Sequence, residues 1–473
     1  MTDTLNRRTG DAARYIETAT RIGPLNLNAQ GLPDQAAIDA LYAERDFQRA
    51  CQCYIWALPI VSYSQWQNQH ETVFGAQDCD IVQYLSVRDK LGLITANATT
   101  PYVLGFVNTA RTGPLAIDFP SGETAGGIGD FWERNISDFG MTGPDKGQGG
   151  RYLVLGPGQQ APIGFDADFV LHAPTFNVFH AFRILTTDPA EAERILHGYQ
   201  LFPASEAASP RKTRIVRPEG RKWSGTQPVG MAYWQRLHAT LQVEPIKEED
   251  RLFMAMLRPL GIEKGRPFAP DAAQKRALED GARIGQLMAI ANSFDKRFDT
   301  AHYQGNWDRA VNVNLDQQAG FYSQLDERAS WFYEAVGLSA GMSQPTPGEG
   351  QVYLSAYRDA NGEWFDGGKT YRLRVSPNVP AGQFWSVALY DIETRCFMDT
   401  QYDKAEIGSR NDLATNDDGS VDLVFGPERP AESPESNWLP TVPGRAWFTY
   451  FRLYAPLQSY FDGSWRLPDI AAA

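Results

Sequence analysis

The strongest constraint on the fold is a pattern of short apolar runs separated by glycine, proline, asparagine and aspartate. Such runs are typical of antiparallel β domains, because the residues between them favour tight turns. The pattern occurs in two blocks with a helical block between them. The runs are Tyr102–Val107, Leu115–Phe119, Tyr152–Leu155, Phe169–Leu171 and Phe179–Leu185 in the first block, and Val352–Tyr357, Tyr371–Val375, Phe384–Tyr390, Val421–Phe425 and Ala446–Tyr454 in the second.

Helical signals precede and separate these blocks. Apolar residues recur at helical spacing from Asp34, and Pro59 is expected to end or kink this first helix. Asp188 followed by Pro189 predicts a helix start, since aspartate caps a helix and proline suits its first position. The sequence predicts an α+β, β-rich multidomain chain with two antiparallel β-sandwich domains. The expected divisions are an N-terminal helical segment at 1–90, a first sandwich at 91–225, a helical connecting region at 226–345 and a C-terminal sandwich at 346–473.

Charge and hydropathy exclude several partners. The 473 residues carry a formal net charge of −13, which argues against nucleic acid because phosphates attract basic surfaces. We expect no membrane partner, since no apolar run reaches the length of a membrane-spanning helix. The polar start of the chain lacks an apolar leader core, which favours the cytoplasm, with a mature periplasmic chain as the alternative. A homo-oligomer is also an expectation.

Residues that commonly bind metals are sparse and scattered. The cysteines form no CxxC pair, and none of the histidines forms a close ligand pair on a helix face. Asp359–Gly362 and Asn416–Gly419 resemble parts of a calcium loop, but both lack its full spacing, and tight hairpin turns explain them better. We therefore expect no organic cofactor, and keep a carboxylate-bound divalent cation as the alternative.

The common catalytic motifs are absent. The sequence contains no GxSxG elbow, no HExxH and no phosphate-binding Walker loop. The glycine-rich stretch 125–129 does not join a strand to a helix in the manner of a dinucleotide site. It is interpreted as a flexible loop.

The densest polar group lies in the stretch from Asp130 to Tyr152. It combines carboxylates for proton transfer, cationic groups for an anion and aromatic rings for stacking. The alternative is a salt-bridged surface loop. Two further candidates are Asn97, in a threonine-rich stretch that could also be a capped turn, and Arg452, which needs a partner or a ligand because its strand is otherwise apolar.

Several stretches resemble a known pair of domains. Residues 54–59 (YIWALP), 97–102, 113–114 and 138–153 resemble the domain of unknown function 1254. Residues 384–391 (FWSVALYD), 437–441 (NWLPT) and 452–454 (RLY) resemble the domain of unknown function 1214. The resemblance implies helical parts plus two β-sandwiches of jelly-roll-like character. It carries no catalytic residues over to this chain.

The leading functional hypothesis is an enzyme without an organic cofactor. It would act by hydrolysis or elimination on a small polar or ring-containing molecule in a cleft between the two β domains. The alternatives are a non-catalytic protein that binds carbohydrates or small molecules, and a divalent-metal hydrolase built on carboxylates. The expected general acids or bases are Asp130, Asp138 and Asp145, and the expected substrate-binding residues are Asn97, Tyr102, Trp132, Arg134, Lys146, Tyr152, Tyr390 and Arg452.

Overall fold

The computed structural model of the chain describes residues 20–28 and 30–473. The rest of the N-terminal segment, residues 1–19 and residue 29, lies outside the described residues. Within the described ranges, no helix combines the length and apolar character needed to cross a bilayer. The helices are α1 Gln35–Gln69, α2 Thr109–Thr112, α3 Pro189–Gly198, α4 Met231–Val243, α5 Arg251–Leu257, α6 Ala272–Phe294, α7 Leu325–Glu334, α8 Ala340–Ser343 and α9 Gln458–Phe461.

One compact unit is helical and comprises the described residues up to Ala57 together with Val229–Gln242 and Ile246–Met288. Its helices pack through aromatic rings and small residues. The ring of Tyr54 stacks on that of Tyr233 with centroids 4.1 Å apart. A side chain at Gly281 would meet the Cβ of Ala50 at 2.3 Å, so glycine allows this close approach.

The second compact unit comprises Leu58–Pro228, Val243–Pro245 and Ala289–Ala473, and it contains the β-structure. Its first ten strands form two sheets. Sheet A has the order β10-β1-β2-β8-β4-β5, and sheet B has the order β7-β6-β3-β9. The strands are β1 Ile81–Tyr84, β2 Tyr102–Asn108, β3 Leu115–Phe119, β4 Thr124–Asp130, β5 Asn135–Gly140, β6 Gly150–Leu155, β7 Phe169–His172, β8 Asn177–Ile184, β9 Gln200–Pro203 and β10 Ile215–Val216.

Sheets A and B enclose one apolar core. Val103 and Phe182 of sheet A pack in the same buried cluster as Ile117 and Val154 of sheet B. Most strand pairs are antiparallel, while β1–β10 and β6–β7 are parallel. The opposite face of sheet A does not pack against sheet B and can therefore contact other parts of the chain.

Ten of the remaining strands form a second pair of sheets, while β13 and β14 form a separate two-stranded sheet. Sheet C has the order β11-β12-β15-β21-β17-β18, and sheet D has the order β20-β19-β16-β22. Leu354 and Leu453 of sheet C share a core with Leu373 and Leu423 of sheet D. The strands are β11 His302–Gln304, β12 Trp307–Arg309, β13 Gln318–Ala319, β14 Tyr322–Ser323, β15 Gln351–Ala356, β16 Tyr371–Val375, β17 Ala381–Asp391, β18 Glu406–Gly408, β19 Val421–Gly426, β20 Trp438–Pro440, β21 Trp447–Pro456 and β22 Ala471–Ala472.

These sheets confirm the expected α+β, β-rich class with mostly antiparallel strands. The jelly-roll-like connectivity stays a prediction. The helix expected after Asp188 is confirmed, because the Asp188 side chain accepts hydrogen bonds from the amides of Ala190 and Glu191. The resemblances to calcium loops are tight turns, in which the amide of Gly362 donates to the carbonyl of Asp359 and that of Gly419 to Asn416.

Three expectations about local structure differ from the observed elements. Residues 125–129 are not a flexible loop but the middle of strand β4. A side chain at Gly126 would lie 2.0 Å from the carbonyl oxygen of Ala181, so the glycine reflects the close packing of β8. Helix α1 contains Pro59 and continues to Gln69, so the end expected there is wrong, while the kink named as the alternative stays a prediction. The connecting region 226–345 also contains strands β11 to β14 besides its helices, because the turn at Gly305 (φ 54°) reverses the chain between β11 and β12.

Candidate functional site

A cavity of about 830 Å³ lies between the outer faces of sheets A and C, within the second compact unit. This volume falls within the range of about 300–1,000 Å³ that suits small-molecule ligands. Further walls come from the end of α1, the turn after β4 and the segment after α7. Its lining includes Tyr63, Trp66, Thr95, Ala96, Tyr102, Leu104, Gly127, Gly129, Glu133, Arg134, Lys146, Phe179, Ala181, Arg183, Trp331, Gly337, Leu338, Tyr353, Tyr450, Arg452 and Tyr454.

Strand alternation places the sheet A residues on the cavity wall. Phe179, Ala181 and Arg183 line the cavity, whereas Val178 belongs to the core between sheets A and B; Phe182 packs in that core and also reaches the cavity lining. Successive side chains of a strand point to opposite faces, so every second residue of β8 faces outward. Phe179 and Arg183 are four residues apart, which places them roughly 13 Å apart along the strand.

The same alternation operates in sheet C. Tyr450, Arg452 and Tyr454 of β21 line the cavity, while Phe451 and Leu453 are in the core between sheets C and D. An arginine can occupy a strand of this kind because only one face of the strand is buried against an apolar core.

The guanidinium of Arg452 is held by rings and by backbone carbonyl groups. It lies over Tyr450 and Tyr353, at 5.3 Å and 5.4 Å from the ring centroids. Its Nη2 donates a 2.7 Å hydrogen bond to the carbonyl oxygen of Thr95. Its Nη1 is buried and has no hydrogen-bond partner among the described residues, although Arg452 lines the cavity. A buried cationic donor without an acceptor is costly.

Arg183 lies close to the same group of tyrosines. Its guanidinium is 5.7 Å from the ring centroid of Tyr454. Burial raises the pKa of Tyr353, whereas the charges of Arg183 and Arg452 lower it, so both cations act on this one phenol. Among the described residues, neither arginine forms an ion pair with a carboxylate. We call these two arginines the arginine pair.

Glu133 is the buried carboxyl group that lines the cavity near the other end of sheet A. It is only 1% exposed, and its Oε2 accepts a 3.0 Å hydrogen bond from the amide of Gly337. Burial raises the pKa of Glu133 well above its usual range, although the Gly337 amide and the Ser62 hydroxyl lower it. The raised pKa favours the protonated form of the carboxyl, which can donate a proton.

The surroundings of Glu133 are aromatic and conformationally unusual. Glu133 itself has φ 61°, a left-handed conformation that is uncommon for a residue with a side chain. The Tyr63 hydroxyl lies 3.5 Å from where a side chain at Gly337 would begin. The indole of Trp331 donates a 3.1 Å hydrogen bond to the carbonyl of Gly337. The contacts with Tyr63 and Trp331 therefore hold the segment that supplies the Gly337 amide in position.

The three aspartates expected as general acids or bases accept hydrogen bonds within their own turns, and none lines the cavity. Oδ1 of Asp130 accepts from the amides of Trp132 and Arg134. Asp138 accepts from the Asn135 and Thr142 side chains, and burial raises its pKa against these hydrogen bonds. The Tyr152 hydroxyl donates to Oδ1 of Asp145 at 2.7 Å. Their catalytic role stays a prediction, and these contacts describe turn-stabilising groups.

The expected substrate-binding residues divide into two groups. Tyr102, Arg134, Lys146 and Arg452 line the cavity. Arg134 lies 3.6 Å from Oδ2 of Asp130, so part of its charge is already balanced. The other group consists of residues that pack behind the wall or in a core, namely Asn97, Trp132, Tyr152 and Tyr390.

Two members of this second group, Asn97 and Tyr390, contact residues that line the cavity. The Asn97 amide group donates to the Tyr454 hydroxyl at 3.3 Å. The Tyr390 hydroxyl donates to the carbonyl of Ala96 at 2.5 Å. Tyr152 belongs to the core between sheets A and B, and the carbonyl of Trp132 accepts from the Gln317 side chain.

The sequence reasoning missed Arg183 and passed over Glu133. Arg183 carried a usable signal, because it is a charged residue in an apolar strand, the same feature that singled out Arg452. Glu133 carried no such signal. Its position depends on the left-handed turn between β4 and β5 and on the distant Gly337.

No cluster of three or more potential metal ligands occurs within residues 20–28 and 30–473. The cysteines Cys51, Cys53, Cys79 and Cys396 are buried and free. Burial raises the pKa of the Cys79 thiol to about 12, which disfavours the thiolate that would bind a metal. The divalent-metal hydrolase stays a prediction.

The fold and the cavity define an α+β protein in which two β-sandwiches present their outer faces to one ligand-sized space. Residues 81–203 match the family described as protein of unknown function DUF1254, and residues 350–458 match the family described as protein of unknown function DUF1214. The chain therefore carries both matches in one order, DUF1254 followed by DUF1214.

Solved structures include similar chains. A crystal structure of a Vibrio parahaemolyticus protein has a TM-score of 0.54 and 16% sequence identity, covering 90% of this chain and 100% of that chain. A crystal structure of an uncharacterized Burkholderia cenocepacia protein has a TM-score of 0.39 and 12% identity, covering 100% of this chain and 94% of that chain. The first likeness shows a shared fold. No curated protein matches the chain in sequence.

Proposed function

We propose that the chain is an acid–base enzyme that acts on a small molecule in the cavity between sheets A and C, with Glu133 as the proton-transferring group. The observation that carries the proposal is the Glu133 carboxyl, which lines the cavity and is 1% exposed. Protein interiors avoid such a group unless it is paired or functional.

The chemistry needs no organic cofactor. Glu133 donates its proton to the leaving group while the bond to that group breaks. In a hydrolysis, water then adds to the substrate and returns a proton to the Glu133 carboxylate. In an elimination, the returning proton comes from the adjacent carbon of the substrate, and a double bond forms. A carboxyl with a raised pKa suits the first step, because it still holds its proton at the working pH.

The other parts of the cavity support binding of a ring-containing substrate. Trp66, Phe179 and Trp331 offer aromatic faces near Glu133. The rings of Trp66 and Phe179 are 5.1 Å apart and tilted by 39°, which leaves an apolar wall rather than a polar one. Such rings exclude water from the proton donor.

The test compares the wild type with Glu133→Gln on a panel of esters, glycosides and β-hydroxy carboxylates. We expect the substitution to lower kcat by about 100-fold or more, the usual contribution of general acid catalysis. The control is Glu432→Gln, a surface glutamate paired with Arg372 at 2.7 Å. Incorporation of ¹⁸O from labelled water identifies hydrolysis, and new absorbance of a conjugated double bond identifies elimination.

A second measurement does not need a substrate. The infrared difference spectrum between wild type and Glu133→Gln isolates the band of one protonated carboxyl near neutral pH. Absence of that band, or equal turnover by both proteins, contradicts the proposal. Binding of panel compounds without any turnover favours the non-catalytic binding protein instead.

A further inference from the structure

The cavity contains a second feature that proton transfer does not use. At the end away from Glu133, two guanidinium groups lie among tyrosines, and among the described residues neither has a carboxylate partner. This is unexpected in a chain with 57 acidic and 44 basic residues. An acidic chain has carboxylates available for any cation whose role is structural.

We propose that the arginine pair is an anion-binding subsite, and that the substrate is a small organic oxyanion with an apolar or aromatic body. The proposal rests on the proposed function of the cavity and names the class of its substrate. The ligand presents a carboxylate or phosphoryl group to Arg183 and Arg452 and its apolar part to the rings near Glu133.

The geometry of Arg452 supports this subsite. The residue is 3% exposed, and its Nη2 is fixed by the Thr95 carbonyl while Nη1 has no partner among the described residues. A guanidinium presents several N–H donors in a fixed plane, which suits the two oxygens of a carboxylate or phosphoryl group. An oxyanion in the adjoining cavity supplies a counter-charge for this guanidinium.

Arg183 supplies the second charge from the opposite sheet. Its guanidinium makes no hydrogen bond or ion pair within the described residues and lies near the Tyr454 ring. Two like charges that act on the same phenol, Tyr353, repel each other when the cavity holds no anion. An oxyanion between them replaces this repulsion by two attractions.

Two carboxylates bear on this subsite: Glu349, an exposed residue of the cavity lining, and Glu406. Oε2 of Glu406 accepts hydrogen bonds from the amides of Ala98 and Thr99, and Glu406 does not line the cavity. Its charge also favours the protonated form of Lys90, although burial lowers the pKa of Lys90 to about 8. The charge of Glu406 also favours the protonated form of Arg452, but this one carboxylate does not balance two guanidinium groups.

The spacing within the cavity sets the size of the ligand. Phe179, near the Glu133 end, and Arg183 are roughly 13 Å apart along β8. A single phenyl ring with one acidic group is shorter than this distance. We therefore expect benzoate and phenyl phosphate to bind as fragments, and larger aryl acids to bind more tightly.

The experiment measures binding of three probes, benzoate, phenyl phosphate and neutral benzamide, to the full chain by calorimetry. Trp66 and Trp331 line the cavity, so tryptophan fluorescence gives an independent signal. We expect at least one of the two anions to bind about tenfold or more tightly than benzamide, as charge-assisted hydrogen bonds predict. The preference between benzoate and phenyl phosphate distinguishes a carboxylate from a phosphoryl ligand.

Variants then locate the binding. Arg183→Met and Arg452→Met are each expected to weaken anion binding about tenfold or more, with little effect on benzamide. The control Arg372→Met removes an exposed arginine of strand β16 and is expected to leave binding within twofold. Where a methionine variant fails to fold, Arg183→Lys or Arg452→Lys keeps the charge but loses the planar donor pair, and weaker anion binding is still expected.

Three outcomes of these experiments would contradict the proposed subsite. Equal affinity for benzoate, phenyl phosphate and benzamide, no binding of any probe at millimolar concentration, or undiminished anion binding by folded arginine variants each overturns the subsite. These probes carry no bond that must be cleaved for binding. Failure of anion binding therefore leaves acid–base chemistry on a neutral substrate open, and failure of the Glu133 test leaves the anion subsite intact.

Discussion

Arg452 donates a 2.7 Å hydrogen bond to the carbonyl of Thr95, a residue 357 positions earlier in the chain. This contact joins strand β21 of the DUF1214 domain to the segment that precedes strand β2 of the DUF1254 domain. It fixes one side of the guanidinium, while the other side is left for the cavity. Arg183 has no comparable contact, and this difference between the two arginines leads to a prediction about stability.

Replacement of Arg183 by methionine is expected to stabilise the ligand-free protein by about 1 kcal/mol, because a crowded cation without a partner costs free energy that an apolar side chain does not. Arg452→Met is not expected to do so, because it also removes the hydrogen bond to Thr95. The midpoint of thermal unfolding in a buffer without organic anions measures the difference. A clear drop in the midpoint for Arg183→Met would contradict this account.

The buried Glu133 carboxyl predicts a pH-dependent difference in stability between wild type and Glu133→Gln. Its pKa is raised above the ordinary value of 4.5, so its stabilising contribution is complete below that pH and is lost as the pH rises toward the folded-state pKa. Glutamine stays neutral at every pH. We expect the stability of the variant relative to wild type to increase as the pH rises above about 4.5.

Denaturant unfolding of both proteins across this pH range checks the prediction. The Glu432→Gln control is not expected to show this increase in relative stability with pH, because Glu432 is an exposed surface residue. A constant difference between wild type and Glu133→Gln at all pH values would show that the carboxyl ionises at its ordinary pKa.

Gly337 is expected to require glycine because its φ of 81° is left-handed. Gly337→Ala is expected to destabilise the protein by about 1–2 kcal/mol, the usual cost of this conformation for an L-residue. It should also disturb the hydrogen bond to Glu133 and so alter the infrared band of that carboxyl. Gly341→Ala is the matched control, since a side chain there meets only ordinary contacts at 3.4 Å and 3.8 Å. Equal stability of the two variants would contradict the argument.

Gly126→Ala tests the packing of the glycine-rich strand β4. The new Cβ would lie 2.0 Å from the carbonyl oxygen of Ala181 and 2.4 Å from the Cα of Phe182, both backbone atoms. The two strands must separate, which is expected to cost more than about 3 kcal/mol or to prevent folding. Soluble yield and thermal unfolding measure this against Gly341→Ala. A stable, well-folded Gly126→Ala protein would show that the strands are not packed this closely.

The sequence predicted strands well where apolar residues are frequent. It predicted them poorly in β4, where glycines that allow close packing occupy the strand instead. Leu115–Phe119 and Tyr371–Val375 were predicted with their observed boundaries, because β-branched or aromatic residues alternate there. Strand β4 was interpreted as a loop, since glycines carry no apolar pattern and their role depends on the neighbouring strand. Local pattern cannot reveal such a contact.

The candidate site was predicted only in part for a similar reason. Arg452 was identified because a charged residue in an apolar strand needs a partner or a ligand. Asp130 and Asp145 attracted attention by composition, yet their oxygens accept hydrogen bonds from nearby backbone amides. Glu133 becomes notable only through Gly337, which is 204 residues away. Polar density along the chain does not distinguish turn-forming carboxylates from one that faces a cavity.

Side chains alternate between the two faces of β8 and β21, so the register of each strand determines which residues line the binding site. Insertion or deletion of a single residue before Arg183 or Arg452 would turn the guanidinium toward the apolar core and bring a neighbouring apolar residue, a phenylalanine, isoleucine or leucine, to the ligand. Length changes in these two strands are therefore far more restricted than substitutions, and natural variation in ligand choice must proceed by exchanging side chains at fixed positions.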